Sequence, residues 1–287
     1  MNKQEIEQII RRVLAAMADG EALGIPATQS QAAGEPIADI AADELREQYL
    51  VEAPKDRDAF MALKRMTPAR VGVGHAGARY RTATMLRFQA DHAAAQCTVF
   101  TDVTEAFLTG MGLRTYSTLC ESRDEFLTRP DRGRRFAQDT LLQIKQDVGG
   151  PIQVLLYVAD GLSSGSVEAS APDILPVISR GLEGYGISCN TPFFVKYGRV
   201  ATQDQLGEAI EADVVCVLLG ERPGLVSADS MSAYITYRPK IGMPESRRTV
   251  LANIHKGGTP CVEAGAHIVD LIRMMLDTKK SGIELQV

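Results

Sequence analysis

Apolar residues recur at helical spacing over residues 3 to 19, where Ile6, Ile9, Ile10, Val13, Leu14 and Met17 fall on one face. Gln, Glu and Arg occupy the other face, and Gly20 ends the helix. Residues 21–42 are rich in Ala, Gly, Ser, Gln and Pro and read as a flexible tether. Helical spacing returns over 43–66, and again over Thr82–Ala95 with Met85, Leu86 and Phe88. From Arg129 the run RPDRGRRF opens a helix to about Gln146, with Pro130 near its first turn. The pattern then changes. Ile152–Val158, Pro192–Val195 and Val214–Leu219 are short continuous apolar runs, as expected of strands covered on both faces. Tyr234–Tyr237 and Thr249–Ile254 read as further strands, and Val167–Leu182 as a helix between the first two runs.

The stretch Thr191–Leu225 is one strand-helix-strand unit. Its helix starts at a capping box in which Thr202 caps and Gln205 reaches back, and it buries Leu206, Ala209 and Ile210. Parallel strands place their carboxyl ends on one edge. The Tyr197–Val200 and Gly220–Gly224 loops therefore face one crevice, the place where open α/β sheets bind ligands. A closing helix uses Thr259 as cap and Pro260 as first helical residue and extends to about Lys279. The expected fold is α/β: a Rossmann-like, mostly parallel sheet domain over 111–287, preceded by a small helical domain over 43–110. Residues 1–20 form an amphipathic helix on the tether 21–42, usable as an interaction tail.

Composition narrows the function. The chain of 287 residues carries a net charge of −5, so no general basic field attracts nucleic acid. No apolar run reaches the ~18 residues that span a bilayer, and the N-terminus lacks the apolar core of a signal peptide, so a cytoplasmic, non-membrane protein is expected. Cys97, Cys120, Cys189, Cys216 and Cys261 form no C-x-x-C pair and read as reduced thiols, with Cys216 packed inside a strand.

Several motifs offer chemistry that their contexts do not support. Gly72, Gly74 and Gly77 fit G-x-G-x-x-G with Asp91 downstream, but no buried strand precedes them. Gly161-Leu-Ser-Ser-Gly165 fits G-x-S-x-G, and Ser163, Asp213 or Asp229, and His255 even follow the order of an α/β-hydrolase. An autonomous serine hydrolase using Ser163 and His255 is therefore the alternative reading. Against it stand the weakness of the upstream strands and the lack of an HGGG-type oxyanion segment. In the structural reading Asp160 and the serines cap the next helix, and His255 orders a turn beside Gly257-Gly258. His92 and His267 sit in apolar helices and read as packing residues. No metal-ligand spacing occurs, and the clustered arginines of 129–135 suit either an anionic partner or a solvated helix face.

Five motifs in fixed order, LTRPDRGRR (Leu127–Arg135), DGLS (Asp160–Ser163), TPFFVKYGRV (Thr191–Val200), GERPGL (Gly220–Leu225) and NIHKGGTP (Asn253–Pro260), resemble the small subunit of ethanolamine ammonia-lyase, from about Thr67 to the C-terminus. The resemblance implies a part in converting ethanolamine to acetaldehyde and ammonia by adenosylcobalamin radical chemistry. It places the substrate site in the barrel of a large subunit, with the small subunit completing the cobalamin pocket and supplying no catalytic residue. Val200, Glu221 and Val250 fall at cobalamin-contacting positions, with Arg222 placed to orient Glu221. Val250 stands where other members carry cysteine, and His75 where they carry arginine. The chain has no D-x-H-x-x-G, so His255 is not expected to ligate cobalt and the cofactor keeps its own dimethylbenzimidazole ligand. The helix of residues 1–20 resembles a tag for bacterial microcompartment shell proteins.

Overall fold

Strand β4 (Val154–Ala159) is buried along its whole length, and its alternation explains the layers on either side of it. Val154, Leu156 and Val158 face one apolar cluster, while Leu155, Tyr157 and Ala159 face another. Each cluster is closed by helices, so the apolar run needed no polar face. The computed structural model describes residues 47–53 and 55–285. The N-terminal helix over 3–19 and the tether 21–42 lie outside the described residues.

Helix α1 (Arg57–Arg65) is followed by a two-stranded ribbon, β1 (His75–Ala76) and β2 (Arg79–Tyr80), and by helices α2 (Thr82–Phe100) and α3 (Glu105–Gly110). Of the expected helix over 43–66, residues 43–46 and 54 lie outside the described residues, 47–53 are not helical, and the described helix begins at Arg57, where the Asp56 side chain accepts from the Ala59 N–H at 3.0 Å. Next come β3 (Thr115–Ser117), α4 (Arg123–Thr128) and α5 (Gln138–Val148). The helix expected from Arg129 therefore begins nine residues later, after a 3₁₀ turn at Arg132–Arg134. Leu119 N–H bonds Arg135 O at 2.9 Å, and Phe136 N–H bonds the Gln205 side chain at 2.8 Å. These cross-links to other segments hold the chain extended where local propensity favoured a helix.

After β4 come α6 (Ser164–Gly184), β5 (Phe193–Lys196), α7 (Thr202–Ile210), β6 (Val214–Gly220), β7 (Met231–Tyr237), β8 (Thr249–Ile254) and α8 (Cys261–Thr278). The sheet order is β3-β5-β4-β6-β7-β8, parallel from β3 through β6 and antiparallel for β7 and β8. The fold is α/β with a mostly parallel, mixed six-stranded sheet. Helices α6 and α8 cover one face through Ile174, Ile178, Ile268 and Ile272, while α5 and α7 cover the other through Ile144, Leu206 and Ile210. Cys216 is fully buried in the first cluster, where burial pushes its thiol pKa up.

The chain runs from β4 outward to β5, then returns across β4 to β6 on its other side. Such a reversal opens a crevice at the carboxyl ends of the strands. The unit Thr191–Leu225 is therefore a crossover whose two strands flank β4 and do not pair with each other.

Candidate functional site

The loops after β4, β5 and β6 meet at that carboxyl edge. Gly161, at φ 52°, allows the closest approach: a Cβ there would sit 2.3 Å from Gly220 O. A Cβ on Gly220 would likewise sit 2.3 Å from Ser163 O. With no side chains between them, Leu162 N–H bonds Gly220 O at 3.0 Å and joins the β4 loop to the end of β6. DGLS and GERPGL, far apart in sequence, are thus two sides of one seam.

Beside the seam lies a cavity of about 430 Å³. Val200 from TPFFVKYGRV, Glu221 from GERPGL and Val250, three residues before NIHKGGTP, all line it. The β5 loop contributes Gly198, Arg199 and Val200, and the end of β6 contributes Leu219, Gly220, Glu221 and Arg222. Ser232, Tyr234, Val250 and Ala252 add a wall from the antiparallel strands. The wall is mainly apolar, with one carboxylate and two guanidinium groups.

Glu221 is oriented by its neighbours on β7 and β8. Its Oε1 accepts from Ser232 Oγ and from the Asn253 N–H, the latter at 3.0 Å. Burial opposes its ionisation, but the Ser232 and Asn253 hydrogen bonds outweigh it and hold the carboxyl below its usual pKa. Arg222, expected to orient this acid, forms no ion pair with it. The strands had already satisfied one oxygen, a pairing that no local motif encodes.

Arg199 closes the opposite side. Its guanidinium lies 4.4 Å from the Phe126 ring centroid, and Nη2 donates to Phe126 O at 2.6 Å. Its Nε is buried without a hydrogen-bond partner among the described residues. Burial and the nearby Arg134 lower its pKa.

A buried ionic knot supports the loops from behind. Arg123 donates to Asp160 at 3.0 Å, to Gly161 O at 3.1 Å and to Asp102 at 2.9 Å. Asp160 also accepts from the Gly198 N–H at 3.2 Å, so one carboxylate ties the β4 loop to the β5 loop. Burial pushes its pKa up to about 6, with Arg123 opposing the rise. Asp160 therefore does not cap α6, as DGLS had suggested. Ser163 does, accepting from the Ser166 N–H at 3.1 Å.

The capping box expected at Thr202 is overturned. Ala201 is the N-cap residue and makes no side-chain cap bond. Thr202 Oγ1 donates to Arg199 O at 2.8 Å and pairs with the buried Tyr157 hydroxyl at 2.8 Å, while Gln205 accepts from Phe136 N–H. The Thr202–Tyr157 and Gln205–Phe136 bonds thus join α7 to separate segments of the chain. Thr259 also fails to cap, since Pro260 takes the N-cap position of α8.

The decoy chemistry comes apart in the structure. Ser163 is fully buried and donates to Ala228 O at 2.8 Å. His255 bonds Asn253 Oδ1 at 2.8 Å and accepts from the Gly257 N–H at 3.1 Å, ordering its own turn. Both partners of a nucleophile-base pair are thus committed elsewhere. Asp91 pairs with Arg70 at 2.6 Å and Arg87 at 3.0 Å, so the glycine motif has no acid free for a ribose. His92 and His267 are exposed, which overturns their reading as packing residues. His75 is exposed as well, with its ring 4.8 Å from that of Tyr80. In the arginine run, Arg129 pairs with Asp131 at 2.8 Å and Arg132 with Glu125, so these two are spent internally. Among the described residues no group of three or more His, Cys, Asp or Glu could hold a metal ion, and no helix is long and apolar enough to cross a membrane.

Fold and site together define a class: an α/β protein with a cavity at a topological switch point of its sheet, where Ser163 and His255 form no nucleophile-base pair. A family described as "Ethanolamine ammonia-lyase light chain (EutC)" matches residues 57–286. The chain is 55% identical over 251 residues to the ethanolamine ammonia-lyase small subunit of Clostridium tetani, covering 88% of this chain and 85% of that one. It is 50% identical to that of Clostridium perfringens over 287 residues, covering 100% and 97%. The small subunit of Listeria monocytogenes is 47% identical over the full length of both chains. The chain belongs to the ethanolamine ammonia-lyase small-subunit family.

Proposed function

We propose that this chain is the small subunit of an adenosylcobalamin-dependent ethanolamine ammonia-lyase, inert alone, that completes a cofactor site against a catalytic large subunit. The observation that carries the reading is the convergence of Val200, Glu221 and Val250 on one cavity. A space of about 430 Å³ is smaller than a corrinoid with its nucleotide arm, so the chain holds one part of the cofactor and a second polypeptide covers the rest. The lining suits that part. Val200 and Val250 give apolar contact, and the Glu221 carboxylate accepts from peripheral amide or hydroxyl groups. When bound, the cofactor supplies radical chemistry through its cobalt-carbon bond. This chain's residues bind and orient it.

In the same reading residues 43–110 form a small helical domain and residues 111–287 the Rossmann-like domain that binds cobalamin. Residues 1–20 tag the cytoplasmic enzyme for a bacterial microcompartment through its shell proteins. The test is titration of adenosylcobalamin into the assembled complex. Glu221→Ala removes a charged acceptor and should weaken binding by about 1.5–3 kcal/mol, tenfold or more, with saturated turnover nearly unchanged. Glu221→Gln keeps one acceptor and should weaken it less. Unchanged affinity, or lost turnover at intact affinity, overturns the assignment.

A further inference from the structure

The arginine run of 129–135 divides into paired and unpaired members. Arg129 and Arg132 are held by Asp131 and Glu125, whereas Arg134 makes no ion pair or side-chain hydrogen bond among the described residues. Arg222, just past the end of β6, makes none either, and both side chains belong to exposed residues. The fold brings them to one place. Arg199 N–H bonds Gly133 O at 3.0 Å, and a Cβ on Gly133 would lie 3.3 Å from Arg199 Nε, so the 3₁₀ turn that ends in Arg134 rests directly on the β5 loop. Arg199 and Arg222 line the same cavity. Burial lowers the Arg199 pKa, and the charges of Arg134 and Arg222 lower it further, as expected of guanidinium groups within one another's field.

Three like charges therefore meet where acids are scarce. Of the described residues that line the cavity only Glu221 is acidic, and its Oε1 is already served by Ser232 and Asn253. The chain as a whole carries −5, so this local excess of cations opposes its overall charge. Repulsion among the arginines is unfavourable in the free chain and is relieved by an anion seated among them. A guanidinium presents its donors as a fork, which matches the paired oxygens of a phosphate group. In the cofactor proposed for this cavity, the peripheral side chains are neutral amides, and the phosphodiester of the nucleotide arm carries the negative charge.

We propose that Arg134 and Arg222, together with Arg199, form an anion site at the rim of the cavity, and that its ligand is the phosphodiester of the cofactor's nucleotide arm. This rests on the cobalamin reading put forward above and divides the cavity: Glu221 accepts from amide or hydroxyl donors, and the arginines hold the phosphodiester. The test is Arg134→Gln/Arg222→Gln, titrated in the assembled complex with adenosylcobalamin and with adenosylcobinamide, which lacks the phosphodiester and the nucleotide. Both arginines are exposed, so the thermal melt of the isolated variant should match that of the unaltered chain. Its affinity for adenosylcobalamin should fall about tenfold or more, while affinity for adenosylcobinamide should change by less than about twofold. Arg134→Lys/Arg222→Lys keeps both charges and should recover most of the loss. Arg129→Gln/Arg247→Gln removes two exposed arginines that are paired with Asp131 and Glu284, alters the net charge equally, and should leave both affinities unchanged. Unchanged affinity for adenosylcobalamin, equal losses for the two corrinoids, or a matching loss in the control overturns the proposal. Binding of inorganic phosphate to the isolated chain that the glutamine variant abolishes, with adenosylcobalamin affinity unchanged, would overturn it in favour of a site for free phosphate. Failure of the unaltered complex to bind adenosylcobalamin would overturn the functional reading itself.

Discussion

Arg248 supports the cavity from a buried position, and its removal provides a quantitative test of the fold. Its side chain is 1% exposed and grips Asp204 with two parallel bonds, Nη1 to Oδ1 at 2.9 Å and Nη2 to Oδ2 at 3.0 Å. Nε donates to Glu245 at 2.7 Å. Burial disfavours the guanidinium charge, but the Asp204 and Glu245 carboxylates outweigh it and hold its pKa above the usual range. Asp204 lies in α7 four residues after Val200, and Arg248 precedes Val250 by two. The pair therefore locks together two walls of the cavity. Arg248→Met leaves the Asp204 carboxylate, whose side chain is 9% exposed, buried without a charge partner. Breaking a buried pair in this way costs about 3–5 kcal/mol, whereas replacing both members by apolar residues is often nearly neutral. Urea unfolding of the isolated chain should show a loss of that size, with Tm lowered by about 2 °C or more per kcal/mol. Asp204→Leu combined with Arg248→Met should recover most of it. A single-variant loss below about 1 kcal/mol, or a double variant as unstable as the single, would refute the reasoning.

Three shorter predictions follow from the same contacts. Asp160 has a folded pKa of about 6 against an ordinary 3.8, so its contribution to stability is full below about pH 4 and is lost as pH rises through about 6. Its carboxyl carbon should titrate near pH 6 by NMR with Asp160→Asn as control, and a midpoint at or below 4 would contradict the burial argument. Ser163→Ala removes the cap of α6 and should cost about 1 kcal/mol by thermal melt, without altering turnover of the complex. Labelling of Ser163 by a fluorophosphonate probe would reinstate the hydrolase reading. Deleting residues 1–20 should leave turnover intact and release the enzyme from shell-enclosed particles, and a collapse of turnover would assign the helix to the core.

What the chain determined by itself was local or periodic. Unbroken apolar runs specify strands buried on both faces, and β4, β5 and β6 lie within two residues of their expected bounds at either end. The polar loops at their carboxyl ends were legible for the same reason, because a parallel sheet delivers such loops to one edge. Val200, Glu221 and Val250 were nameable before their cavity was seen only through the resemblance to the small subunit of ethanolamine ammonia-lyase, and Val250 lies within β8 rather than in such a loop. The tertiary structure alone decided that β4 lies between β5 and β6, since strand order depends on contacts distant in sequence. It also redirected Thr202 from its own helix to Tyr157 and Arg199 O, and Gln205 to Phe136. A polar group near a helix start has several partners within reach, and burial selects the one that local chemistry does not rank first. Arg123 and Asp160 were missed as a pair because 37 residues separate them, and no spacing rule joins an arginine to a strand-end aspartate. Only the folded sheet puts both charges in one low-dielectric place, where leaving either unpaired costs more than pairing them.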